Sequence, residues 1–134
     1  MKIESTEFDG AGLSRVYEND SWMVGIKNWK PENDVLGIDC LERHNETDEL
    51  FVLLAGKCVL LFANEKAGGG IDIQTEAMEQ GKLYKIPRSL WHTTVTMKET
   101  KLLLVEDSAT SSKNSDVLRL DASQMASIRN IVRL

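Results

Sequence analysis

Five of the eight residues from Glu42 to Glu49 (ERHNETDE) carry groups that can bind a cation or move a proton: Glu42, His44, Glu46, Asp48 and Glu49. An almost unbroken apolar run, LFVLLAG, follows directly. The chain contains only two histidines, His44 and His92. Neutral imidazoles and carboxylates together suit borderline divalent ions, and low dielectric inside a small barrel makes an unpaired carboxylate costly unless a cation neutralises it. Glu42, His44, Glu49 and His92 therefore form a candidate set of two nitrogen and two carboxylate ligands, with positions left for water or substrate. The plainer alternative is a solvated strand entrance with two hydrogen-bonded structural histidines. Spacing alone leaves both open.

The elements that would position these groups read as β-strands. Alternating or continuous apolar runs cover Ser21 to Trp29, Val35 to His44, Glu49 to Ala63 (two strands, or one bent at Gly56), Ile71 to Met78, Lys82 to Ile86, Leu90 to Met97 and Lys101 to Glu106. Turn chemistry separates them at Pro31 to Asp34, at Gly68-Gly69-Gly70, where a hairpin is expected, and at Glu79-Gln80-Gly81. Many short strands at short spacing indicate a sandwich or barrel. Side chains two apart on a strand share a face, so Glu42 and His44 fall together, as do His92, Thr94 and Thr96, with Trp91 opposite. The polar stretch from Ser108 to Ser115 reads as a loop. Asp121 and Gln124 then make a capping-box pair, and Met125, Ile128 and Val132 give a helix one apolar face for the barrel or a partner subunit.

Composition narrows the function classes. The 134 residues suit one domain, and 42% hydrophobic content supports a packed core. A net charge of −5 with no Lys/Arg cluster speaks against nucleic-acid binding. No apolar run approaches a membrane span, and the opening MKIESTEFDG lacks the apolar core of a signal peptide, so a cytoplasmic protein is expected. Cys40 and Cys58 sit in apolar strand-like segments and read as reduced structural thiols.

The spacing of these residues resembles the cupins. In that family's first motif a glycine is followed after five residues by His-x-His, then Glu, then after six residues Gly. Here four residues separate Gly37 from Glu42-x-His44, four more precede Glu49, and six precede Gly56. The second motif is matched by Gly81, KLYKI, Pro87, Ser89 in a glycine's place, His92, and Thr96 in place of Asn. The pattern looks like the small single-domain bacterial cupins without an assigned reaction.

The resemblance implies an all-β, double-stranded β-helix (jelly-roll) barrel as one domain over 1–134. Its barrel core would span about 20–108, with a short C-terminal α-helix at about 121–133. It also implies that Glu42, His44, Glu49 and His92 occupy the four ligand positions of a divalent metal (Mn, Fe, Zn or Ni), Glu42 replacing a histidine. The added negative charge favours harder ions. Thr94, Thr96, Tyr84 and Arg88 are candidate substrate-pocket residues. A homodimer is expected, with a small molecule as ligand or substrate. Three functions stay open: a metal-dependent enzyme on a small organic substrate, a non-catalytic ligand-binding module, and a metal-free sugar isomerase or epimerase.

Overall fold

The computed structural model describes residues 1–134 and contains ten strands, one 3-10 turn and one α-helix. The strands are β1 (Leu13–Glu18), β2 (Trp22–Asn28), β3 (Cys40–His44), β4 (Glu49–Ala55), β5 (Cys58–Glu65), β6 (Ile71–Ala77), β7 (Leu83–Ile86), β8 (Trp91–Thr96), β9 (Lys101–Asp107) and β10 (Ser115–Arg119). The helix α1 spans Ala122–Ile131. Two five-stranded antiparallel sheets, ordered β1-β2-β9-β4-β7 and β10-β3-β8-β5-β6, face each other as a jelly roll.

Strand alternation divides the apolar residues into two clusters. Met23, Phe51, Leu53, Leu60, Leu102 and Leu104 point between the sheets and fill the closed end of the barrel. Leu41, Leu61, Trp91 and Val95 point outward from the second sheet and are covered by Ile128 and Val132 of the C-terminal segment. The capping box is formed, with Gln124 N–H donating to Asp121 and the Gln124 side chain accepting from the Asp121 N–H. The helix stripe is thus satisfied within the chain. Ile128 is 1% exposed, so Ile128→Ala is expected to cost about 2–5 kcal/mol, read as a lower urea midpoint at unchanged slope.

Two expectations need correction. The barrel extends beyond 20–108, because β1 and β10 flank that range and β10 pairs along the whole of β3. The strand read from Val35 begins only at Cys40, because residues 34 to 37 form a turn. There a Cβ on Gly37 would lie 1.9 Å from the Pro31 carbonyl oxygen, so only glycine fits. The helix expected at about 121–133 runs from Ala122 to Ile131, with Asp121 as its N-cap and Val132 as its C-cap. Gly56 turns the chain between β4 and β5 at φ 70°, as the bend there requires. Ser89, in the motif's glycine place, adopts the same left-handed region at φ 69°, and its N–H donates to the His44 carbonyl at 2.7 Å.

Candidate metal centre

The open end of the barrel holds a cavity of about 430 Å³. Its lining is mostly polar, with only Leu13, Phe51, Leu104 and Val117 apolar. Strand register places the ionisable groups. Glu42 pairs with His92 across β3 and β8, and His44 pairs with Ser115 of β10. On the other sheet Leu50 pairs with Val105, which brings Glu49 and Glu106 side by side on the inner face.

Glu49 lies between the two histidines. Its Oε1 is 3.0 Å from His92 Nε2 and 3.4 Å from His44 Nε2. The outer nitrogen of each ring is held in place, with His92 Nδ1 at 2.9 Å from the Leu90 carbonyl and His44 Nδ1 at 2.7 Å from Ser115 Oγ. A carbonyl only accepts, so His92 Nδ1 carries a proton there. Between His92 Nε2 and the Glu49 carboxylate, then, a cation must stand: a proton or a metal ion. Anchoring a ring through an Nδ1 hydrogen bond to a neighbouring oxygen, with Nε2 turned to a carboxylate, is the arrangement that histidine ligands use.

Two overlapping groups of donor atoms have all members within 4.8 Å of one another: Glu42, His44 and His92, and His44, Glu49 and Glu106. His44 belongs to both. Glu42 is the most exposed member, its Oε1 3.8 Å from His44 Nε2. Glu106 is a site residue absent from the sequence-based set, and its alternation with Leu102 and Leu104 in KLLLVED puts it on the inner face. Its Oε2 is buried without a hydrogen-bond partner, 3.7 Å from His44 Nε2. An orphaned carboxylate oxygen beside two anchored imidazoles is a donor set that fits a divalent cation.

The electrostatics follow from burial and crowding. Burial pushes the Glu49 carboxyl up, but hydrogen bonds and charge from His44 and His92 outweigh it and hold the group well below the usual carboxylate range. Burial, then the adjacent Glu49 charge, raises Glu106 to about 8. The Glu49 hydrogen bond raises His44 against the opposing effect of burial.

The predicted pocket residues separate. Thr94 lines the cavity. Thr96 is buried deeper, its hydroxyl donating to the Asn33 carbonyl. Tyr84 lies one register step below Glu49, opposite Phe51, and its hydroxyl accepts the Glu79 N–H at 2.8 Å, so it belongs to the core rather than the cavity. Arg88 is exposed on the turn before β8, where its N–H donates to Asp48, and it does not line the cavity. Trp91 points away from the site, under the Arg43 guanidinium.

No protein-family model matches the chain, and no curated protein does. Solved structures match over most of its length. A cupin-2 domain protein from Shewanella frigidimarina aligns with a TM-score of 0.54 at 18% identity, covering 75% of this chain and 84% of that one. A variant of Streptomyces PAC13, solved with uridine, aligns with a TM-score of 0.60 at 8% identity, covering 91% and 95%. Hydroquinone 1,2-dioxygenase PnpCD, solved with Fe3+, aligns with a TM-score of 0.53 at 15% identity, covering 72% of this chain and 28% of that one. The chain has the cupin fold, with its histidine–glutamate cluster at the open end of the barrel. At these identities the likeness establishes the fold alone.

Proposed function

We propose that the barrel binds one divalent metal ion through His44, Glu49, His92 and Glu42, with Glu106 as a further carboxylate at the same centre, and that the cavity beside it accepts a small organic molecule. The observation that carries this reading is the pair of anchored imidazoles whose Nε2 atoms converge on Glu49. The iron in the dioxygenase of the same fold is consistent with it. A bound ion would act as a Lewis acid toward a substrate oxygen. The chain's own residues would orient the molecule through Thr94 and the cavity hydroxyls, and Glu106 would hold or release a proton at its carboxyl.

Metal add-back tests the reading. Chelator-treated protein is expected to gain several degrees in melting temperature with one of Mn, Fe, Zn or Ni at low micromolar excess, and more at higher pH, because metal displaces protons from the cluster. No gain with any of the four would contradict it and favour a metal-free ligand module.

We also read the chain as a homodimer. The outer face of the first sheet carries Val24, Ile26, Val52, Leu54, Leu103 and Val105 with no helix over it, whereas α1 covers the second sheet. Light scattering coupled to size exclusion should give twice the 15.0 kDa chain mass, reverting to the monomer in Val52→Lys.

A further inference from the structure

We infer that the cavity binds a small organic acid whose carboxylate is held by Lys27 and Arg15 on the β1–β2 wall, while the rest of the molecule faces the histidine–glutamate cluster. This rests on the reading of the cavity as a ligand site and names the chemical class of that ligand.

Both cations line the cavity. The register pairs Leu13 with Lys27 and Arg15 with Gly25, so Arg15 and Lys27 are diagonal neighbours on the inner face of adjacent strands. Diagonal neighbours of this kind lie about 7–8 Å apart at the backbone, within reach of one bridging carboxylate for side chains this long.

None of the acids at the cluster pairs with either cation. The three acids at the cluster are turned to the histidines: Glu49 to both, Glu42 and Glu106 to His44. Lys27 feels the Glu49 and Glu42 charges at a distance but has no carboxylate within ion-pair range, and burial pulls its ammonium below the ordinary lysine value. A half-buried ammonium without a partner is costly, and an incoming carboxylate removes that cost.

Arg15 is fixed in place. Its Nη1 donates to Glu18 Oε2 at 3.0 Å and to the Ser108 carbonyl at 3.0 Å, and Nη2 donates to the Thr110 carbonyl at 3.1 Å. Three of the guanidinium's five N–H donors are thereby used and two remain. Its one acidic partner, Glu18, is an exposed rim residue. The same bonds draw the Ser108 to Ser112 loop over the cavity mouth, where the Ser111 and Ser112 hydroxyls add donors for a polyoxygenated ligand.

Calorimetric titration of the full chain with succinate, with the neutral isostere succinamide and with inorganic phosphate tests the inference, with metal content measured on the same samples. Succinate is expected to bind about tenfold or more tightly than succinamide. Lys27→Met should lose about tenfold or more of that affinity while keeping the parent's metal content and amide NMR spectrum, and Lys27→Arg should recover part of it. Equal binding of succinate and succinamide, unchanged affinity in Lys27→Met, binding of phosphate alone, or no heat at tens of millimolar succinate would each overturn the inference. The two readings fail separately: Lys27-dependent succinate binding without metal leaves the acid site standing and removes the metal centre, and metal binding without succinate does the reverse.

Discussion

In metal-stripped protein, Glu106→Gln is expected to raise the melting temperature at about pH 9 by roughly 5–10 °C while leaving it nearly unchanged at about pH 5. The cause is the position of Glu106, side by side with Glu49 on the inner face, its Oε2 buried without a partner. Its side chain is only 9% exposed, so little solvent screens the repulsion. The folded-state value is raised from 4.5 to about 8. A raised value means that the folded chain holds a proton which the unfolded chain gives up. The contribution to stability is fully present below 4.5 and lost as pH rises through about 8. A shift of this size corresponds to on the order of 3–5 kcal/mol. Glutamine keeps the shape of the protonated acid and cannot ionise, so the variant escapes the alkaline loss.

His44, whose value is also raised, loses stability on the same side, above 6.5, and Lys27, whose value is lowered from 10.5, acts in the opposite sense. The difference between variant and parent across pH cancels Lys27 and reports Glu106 together with its charge coupling to His44. Thermal melts from about pH 4.5 to 9.5 in chelator measure it. A difference that stays flat would mean that Glu106 ionises freely in the fold.

The second large effect is at Glu49. Glu49→Ala should destabilise metal-free protein by about 3–5 kcal/mol near pH 6, because it leaves two largely buried imidazoles facing an empty position, each still held at Nδ1. The acidic limb carries a further signature. The Glu49 value is depressed from 4.5 to about 2, so its stabilisation is present above 4.5 and lost as pH falls toward 2. This corresponds to on the order of 3 kcal/mol of acid sensitivity, which Glu49→Gln should remove. The same substitution removes the neighbouring charge that helps raise Glu106, so Glu49→Gln and Glu106→Gln should be non-additive by about 1 kcal/mol or more in a double-mutant cycle. Denaturant melts of the four proteins at about pH 4 and pH 7 provide the test; additive effects would place the two carboxylates in separate environments.

Much of this arrangement could be read from strand alternation. The parity that puts Glu42 with His44, and His92 with Thr94, is the parity by which register directs them into the barrel, whereas Ile38 lies ahead of β3, outside that alternation, and packs in the outer cluster under the helix. Glu106 follows the same rule through Leu102 and Leu104, but in sequence an acid at the end of an apolar run resembles an ordinary solvated strand end. Lys27 shares a face with Met23 and Gly25, yet an inward lysine contradicts the usual behaviour of that residue.

Tyr84 and Arg88 flank the second motif in sequence but not in space. Pairing of Tyr84 with Phe51 buries the first, and the turn at Pro87 to Ser89 turns the second to solvent. Strands β1 and β10 are not legible in the sequence, because LSRVYE and SDVLR carry charged residues and only weak alternation. Their strand identity comes from β2 and β3, whose ladders they complete. The early start read for β3 failed on a contact between Gly37 and Pro31 that no local pattern encodes.

The measurement that bears most directly on the metal centre is elemental analysis of protein purified without an affinity tag or chelator, beside His44→Ala and His92→Ala. His44 belongs to both donor groups and His92 to one of them. Near-stoichiometric Mn, Fe, Zn or Ni in the parent, lost in His44→Ala and strongly reduced in His92→Ala with both variants still folded, is the predicted result. A folded parent that carries no metal and takes none up from added salts would contradict it, and would make the proton, not a metal ion, the cation that stands between His92 and Glu49.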